Sequence, residues 1–408
     1  MDDNKKIANF FVAGAKSLGR YGGYESFLKK LVEYHKDNKD IKYYIACKAN
    51  GDGKMVPFEL EGTSDVKCGA FTYCNATCYM INVPQWLGAV QAIYYDIAAL
   101  KLFCKVIAEK RIEDPIVYIL ACRIGPFMNK YVKKIHALGG KVYVNPDGHE
   151  WKRAKWSAPV RKYWKVSERM MVKHADLLIC DSVNIEKYIQ KEYKKYNPNT
   201  IYIAYGAEVY ASRLTDEDNK YVDWLNKHEI NKSFYTVIGR CVPENNFETI
   251  IREFMKSSTD KYLVIITTNN PKMMIDLENR LHYSNDKRIK FVGTVYDSEL
   301  LIKIREKSFA YIHGHSVGGT NPSLLEALGS TKLNLLFDVG FNREVGKDAA
   351  FYWIHEDQNL ADLIDKVDKL SEDDIEIMSK KALKRISDAY SWRFIADEYK
   401  NILFDRTK

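Results

Sequence analysis

Two short stretches and one arginine hold most of the residues whose types and spacing can do chemistry. The first runs Tyr311-Ile-His-Gly-His-Ser-Val-Gly-Gly-Thr-Asn-Pro-Ser-Leu-Leu-Glu326. An apolar run, Phe309 to Ile312, leads into a polar loop, and Pro322 then opens a segment with Leu324, Leu325 and Leu328 on one side: strand, loop, helix. Asn321 is a good N-cap and Pro322 suits the first helical turn. A loop of this kind leaves backbone N–H groups unpaired at a positive helix end, and Gly318-Gly319 lets a ligand approach the backbone. The expected guest is a phosphate or a hydroxyl-rich sugar, met by His315, Ser316, Gly318, Gly319, Thr320 and Asn321, with Glu326 adding an acceptor a turn into the helix. The second stretch, Asn145-Pro-Asp-Gly-His-Glu-Trp151, sits where a strand ends. It offers Asp147, His149 and Glu150 as groups that accept or exchange protons, although Asn-Pro-Asp-Gly is also good turn chemistry by itself. Arg240 ends the apolar run Tyr235 to Gly239, and its fixed charge and forked donors suit a diphosphate.

The strand, Gly-rich loop and Glu-bearing helix resemble the donor-site signature of GT-B-fold glycosyltransferases of the GT4 type. Those enzymes carry two Glu residues on this motif; the second matches Glu326 and the first falls at Gly318. The wording His-Ser-Val-Gly-Gly-Thr-Asn-Pro-Ser-Leu-Leu-Glu is similar to one subgroup, the bacterial β-1,4-rhamnosyltransferases of capsule and cell-wall polysaccharide synthesis. Arg-Tyr-Gly-Gly-Tyr-Glu from Arg20, Asn-Pro-Asp-Gly-x-Glu-Trp from Asn145 and Phe341-Asn-Arg-Glu344 resemble the same subgroup. The resemblance implies retaining transfer of L-rhamnose from dTDP-β-L-rhamnose to a lipid-diphosphate-linked sugar, with no cofactor and no obligatory metal. Catalytic positions would be Asp147, Glu150, Arg240 and Gly318. The donor would meet Gly22, Gly23, Arg240, Asn245, Thr294, Val295, Tyr296, the loop residues above and Glu326, while Arg20, Tyr21, Asp147, His149, Glu150 and Trp151 would face the acceptor. Asn342, Arg343 and Glu344 are assigned to the same cleft. GT4-like enzymes usually place a Lys five residues after the Arg; here that residue is Asn245.

The elements that must position these groups follow a β-α alternation. Ile7 to Gly14, Ile41 to Cys47, Ile116 to Leu120, Lys141 to Val144, Leu177 to Cys180 and Ile201 to Ala204 are short apolar runs flanked by helical patterns, which predicts a parallel sheet with helices on both faces. Periodicity fades between Tyr205 and Lys232 and restarts at Tyr235. The expectation is α/β, with two doubly wound Rossmann-like domains: 1–205, joined by a linker at 206–232 to 233–389, with a last helix at 390–408 packing back on the first. The glycines at 14, 19, 22 and 23 do not form a dinucleotide fingerprint, and no Walker A sequence occurs, so an oxidoreductase or NTPase loses its main support.

Between Trp151 and Lys173 lie eight Lys or Arg against one acid, Glu168, an excess of seven in a chain of net charge +8. Trp156, Lys162, Trp164 and Lys165 suggest an anionic membrane surface, ahead of a solvated helix face or a nucleic-acid footprint, since no nucleic-acid module accompanies them. Trp86 to Ile107 is the most apolar helical stretch, but Gln91, Asp96 and Lys101 interrupt it, so a buried or partly lipid-facing helix is expected rather than a span. Eight scattered Cys read as core residues of a reducing compartment, Cys74 and Cys78 included. With 46% hydrophobic content and a polar N-terminus, the expectation is a cytoplasmic protein, peripheral on the inner face of the membrane. The alternatives are a glycosyltransferase with another nucleotide-sugar donor, UDP- or GDP-linked, a nucleotide-sugar epimerase, and a non-catalytic membrane- or nucleic-acid-binding protein.

Overall fold

The computed structural model describes residues 7–19, 22–153, 156–208, 210–268, 270–317 and 319–404. The chain divides into two compact units, 1–206 with 392–408 and 207–391.

In the first unit the apolar run after Ile7 becomes β1 (Ala8–Ala13), and α1 (Gly23–Tyr34) buries Phe27, Leu28, Leu31 and Val32 at helical spacing. There follow β2 (Ile41–Lys48), the hairpin β3 (Ala70–Tyr73) and β4 (Ala76–Ile81), α2 (Gln91–Lys110), β5 (Ile116–Leu120), α3 (Gly125–Ala137) and β6 (Lys141–Asn145). The unit continues through α4 (Ala158–His174), β7 (Leu177–Cys180), α5 (Val183–Glu192) and β8 (Thr200–Tyr202). The sheet order is β3-β4-β2-β1-β5-β6-β7-β8, parallel except for the hairpin at its edge. Residues of β1 and β5 are almost all fully buried, as expected of central parallel strands covered on both faces.

The second unit contains α6 (Asn219–Lys227), β9 (Phe234–Ile238), α7 (Phe247–Lys256), β10 (Tyr262–Ile266), α8 (Pro271–Leu281), β11 (Ile289–Gly293) and α9 (Ser298–Lys307). After these come β12 (Ala310–His313), α10 (Pro322–Leu328), β13 (Leu333–Phe337), α11 (Gly340–Gly346), β14 (Phe351–Trp353), α12 (Asn359–Val367) and α13 (Glu372–Ala389). Its six strands, all parallel, lie in the order β11-β10-β9-β12-β13-β14. The last helix, α14 (Trp392–Phe404), belongs to the first unit.

One reading changes. Within 206–232, α6 is a helix capped by Asp218 that buries Tyr221 and Trp224, so this stretch belongs to the second unit rather than to a linker. Asp216 there is no free acid: it is clamped by Lys303 at 2.6 Å and by Lys307. The apolar helix α2 buries Asp96 completely, because Arg123 neutralises it.

Candidate active site

In the first unit the groups collect past the carboxyl ends of β1, β5 and β6, where doubly wound sheets hold ligands. Asn145 ends β6 and its side-chain oxygen accepts the N–H of Asp147 at 2.8 Å, closing a tight Asx turn. Asp147, Gly148 and His149 then follow one another with φ of 62°, 72° and 55°. Left-handed backbone at two non-glycine residues on either side of a glycine is costly, and it persists where surrounding contacts over-determine it, often at functional sites.

Those contacts are visible. The His149 ring lies 4.1 Å from that of Tyr188, whose hydroxyl donates to buried Glu168 at 2.5 Å. Tyr193 donates to the same carboxylate oxygen. Lys165 completes the platform: its ammonium is 2.8 Å from Glu192 and sits over the rings of Trp151, Tyr188 and Tyr193. Burial first, then Lys152 and Lys165, push the His149 imidazole down to about 4, so it is neutral at ordinary pH. Both Glu150 oxygens are engaged, one by the Trp156 indole at 2.9 Å and one by Arg153 at 2.6 Å. Glu150 is thus a brace. Asp147 is the better proton acceptor: burial raises its carboxyl above the usual range and Glu150 adds to this, while Arg153, Arg123 and Tyr24 pull it back. Arg123, which leaves β5, donates to the Gly14 carbonyl at 3.0 Å and to Asp96 at 3.2 Å, so a fixed cation stands on this edge.

The loop before α1 is less open than its glycines suggest. Gly22 caps the helix, but a Cβ there would lie 2.0 Å from the Glu25 carboxylate, and Glu25 already accepts the Lys16 N–H at 2.8 Å. Gly23 has open space around it. Arg20, Tyr21 and Gly318 lie outside the described residues. The basic patch is also narrower than its composition. Lys165 and Trp156 are committed to the platform and to Glu150, and Trp164 packs 6.2 Å from Trp156, leaving Lys162 exposed. Lys165 is therefore corrected from a free surface cation to a half-buried one paired within the platform.

In the second unit the loop after β12 is braced from three sides. Asn245 donates to the Arg240 carbonyl at 2.7 Å, and its Oδ1 accepts from His315 Nδ1–H at 2.9 Å. The residue that replaces a cation thus ties the loop after β9 to the loop after β12. Ser316 gives both its N–H and its hydroxyl to the Glu244 carbonyl, each at 2.9 Å. Fully buried Asn342 donates to the carbonyls of His315 at 3.0 Å and Phe337 at 2.8 Å. Gly314 must be glycine because a Cβ would lie 2.3 Å from the Asn245 carbonyl oxygen. Gly319 and Thr320 follow, and Asn321 caps α10 by accepting the Ser323 N–H at 2.9 Å.

Arg240 is exposed, with no hydrogen bond or ion pair from its guanidinium among the described residues, so it is available to an anion. Glu326 is not fully so: Oε2 is 2.6 Å from Arg305 on α9, leaving Oε1 for a ligand. Thr294 spends its hydroxyl on the Thr267 carbonyl at 3.2 Å, Val295 packs into a small apolar cluster, and Tyr296 exposes its ring. Arg343 is paired with Asp338 at 2.6 Å and stacked on Tyr352, which removes it from the free cations. Arg305, Arg123, Asp96 and the Glu168 platform were not legible as site residues. Their one sequence signal was a charge within or beside an apolar run.

Residues 7–208 match the family model described as "Domain of unknown function (DUF1972)". No curated protein matches the chain. Among solved structures, a sucrose-phosphate synthase from Thermosynechococcus elongatus superposes with a TM-score of 0.73 at 13% identity, over 97% of this chain and 98% of that one. A glycosyltransferase from Rickettsia africae gives 0.71 at 15% identity, over 99% and 100%. Anabaena HepE in complex with UDP gives 0.67 at 14%, over 98% and 99%. The chain has the GT-B fold of these glycosyltransferases.

Proposed function

We propose that this chain is a retaining, sugar-nucleotide-dependent glycosyltransferase that moves L-rhamnose from dTDP-β-L-rhamnose to a lipid-diphosphate-linked sugar. The observation that carries the transferase reading is the braced Gly-rich loop after β12 with the guanidinium of Arg240, unpaired among the described residues, on the neighbouring loop. Developing charge on the leaving diphosphate would be met by Arg240 and by the loop's N–H groups, as in an oxyanion site, without an obligatory metal. Asp147, half-buried and with its carboxyl raised above the usual range, would orient or deprotonate the acceptor. Rhamnose, dTDP and the lipid carrier rest on the motif resemblance, and the protein would work at the inner face of the membrane. A UDP-sugar donor is the second reading, favoured by the UDP complex of the Anabaena relative in fold.

Titration calorimetry with dTDP, UDP and GDP separates the two readings, followed by a donor screen with a lipid-diphosphate sugar acceptor. Binding of dTDP in preference to UDP, with rhamnosyl transfer that survives EDTA, is the expected result. Failure to bind any nucleoside diphosphate would sink the transferase reading altogether.

A further inference from the structure

His313, the last residue of β12, is 4% exposed, and its Nε2 is buried with no hydrogen-bond partner among the described residues. Its other nitrogen is accounted for. Nδ1 lies 3.1 Å from the Tyr311 hydroxyl, which is also 3.1 Å from the Ser323 hydroxyl and 3.2 Å from the Ile238 carbonyl oxygen. Of these three neighbours only the carbonyl is unable to donate. The ladder between β9 and β12 covers Tyr235 and Thr236 alone, so the Ile238 oxygen lies beyond it. The arrangement that satisfies every group has Tyr311 donating to Ile238 and accepting from both Ser323 and His313 Nδ1–H. Burial, and then His315, hold the His313 imidazole neutral by pushing it well below its ordinary range. A neutral ring protonated on Nδ1 carries a bare lone pair on Nε2. His313 ends β12 directly before the loop that begins at Gly314, and its ring centroid lies 6.1 Å from that of His315 in that loop.

We infer that His313 Nε2 is a hydrogen-bond acceptor for a hydroxyl of the sugar carried by the nucleotide donor. A buried acceptor left unpaired has lost its hydration with nothing in return, so it has a use for a donor group. An ionised diphosphate has no proton to give it, whereas a hexose has several. This assignment rests on the sugar-nucleotide reading above and adds a residue that discriminates the sugar from the nucleotide portion.

The test compares dTDP and dTDP-rhamnose, or UDP and a UDP-hexose if that donor is the one bound, on the parent, His313→Phe and His313→Gln. His313→Phe is expected to weaken the sugar nucleotide about tenfold or more and to leave the free nucleoside diphosphate unchanged; His313→Gln, which keeps an acceptor, should recover part of the loss. Nitrogen-15 NMR of histidine-labelled parent gives a check that does not depend on refolding a variant: the Nδ1–H tautomer is expected, with the Nε2 resonance moving when sugar nucleotide but not nucleotide is added. Equal losses for both ligands, or an Nε2–H tautomer, overturn the assignment. If the parent binds sugar nucleotide normally and neither variant nor resonance responds, Nε2 serves the interior alone and the inference fails while the transferase reading stands. A parent that binds neither ligand removes both.

Discussion

Asp96 is the residue at which sequence and surroundings disagree most. It sits on the most apolar helix of the chain, fully buried, and its carboxyl is pushed up to about 6 by burial, with Arg123 pulling it back. An unfolded Asp titrates near 3.9. Between those values the folded chain holds the extra proton, so the Asp96 contribution to stability falls as pH rises through the window. Asp96→Asn removes this titration. The stability difference, parent minus variant, should decline by about 2–3 kcal/mol between pH 4 and pH 7, at about 1.36 kcal/mol per unit. A flat difference in urea melts across that range would show that Asp96 is ionised throughout. Glu326 poses the complementary question, since it was legible as a ligand group and also serves as counter-charge to Arg305, whose side chain is 3% exposed. Glu326→Ala should cost about 1–2 kcal/mol of stability, between the values for an exposed and a buried pair, because Arg305 is buried and Glu326 is half-exposed. It should also raise the dissociation constant of the donor. If calorimetry finds donor binding unchanged while the melt shifts, Glu326 is a strut only. Arg305 and Arg123 were hidden in the sequence for one reason: each finds its carboxylate more than twenty residues away, and no local spacing announces such a pair.

At the scale of elements, the central strands were plain as short apolar runs, while the hairpin of β3 and β4 was not. Its Thr, Tyr and Cys residues alternate weakly, and the turn at Cys74-Asn75 reads as polar loop. Helix α6 was lost for a similar reason, since two buried aromatics in nine residues are too few to show a period. Helix α4 shows how a charge run divides once its faces are known. Lys165 turns to the Glu168 platform, whereas Lys162, Arg169 and Lys173, spaced seven and four apart, share one exposed stripe. If the membrane reading is right, that stripe carries it. Reversing the three to Glu should weaken sedimentation with anionic vesicles by more than a hundredfold, since the loss of three cations at about 1 kcal/mol each already gives about that factor. The parent's binding should fall steeply with added salt, given a screening length of about 8 Å at physiological ionic strength. Lys165→Met should leave vesicle binding alone and lower the melting temperature instead. Vesicle binding that ignores the reversed stripe and the salt would make α4 an ordinary solvated face.

At the scale of the whole molecule, the first unit is built from two separated pieces of chain. The polypeptide leaves it at Gly206, forms the second unit, and re-enters at Trp392. The two ends of that excursion meet: a Cβ on Gly206 would lie 2.4 Å from the Trp392 ring. Beyond it α14 buries Trp392, Ile395, Tyr399, Ile402 and Leu403. His35 bonds the Ala396 carbonyl at 2.9 Å, and the Tyr118 and Tyr399 hydroxyls meet at 3.1 Å. Five large side chains at about 1.5–3 kcal/mol each amount to roughly 10 kcal/mol, which is the size of a domain's entire stability. The first unit should therefore not be stable without this helix, and it cannot be completed until synthesis has passed Trp392–Phe404. A chain ended at residue 391 is expected to lose the calorimetric transition of the first unit and keep that of the second, whose core is contiguous. Gly206→Ala in the full chain should lower the first unit's transition selectively, because the new methyl group has nowhere to go without displacing the indole. Were the shortened chain to keep both transitions at their original midpoints, α14 would be an ornament on a sheet that is stable alone, and the burial of Trp392 and Tyr399 would have to be offset by strain elsewhere in the unit.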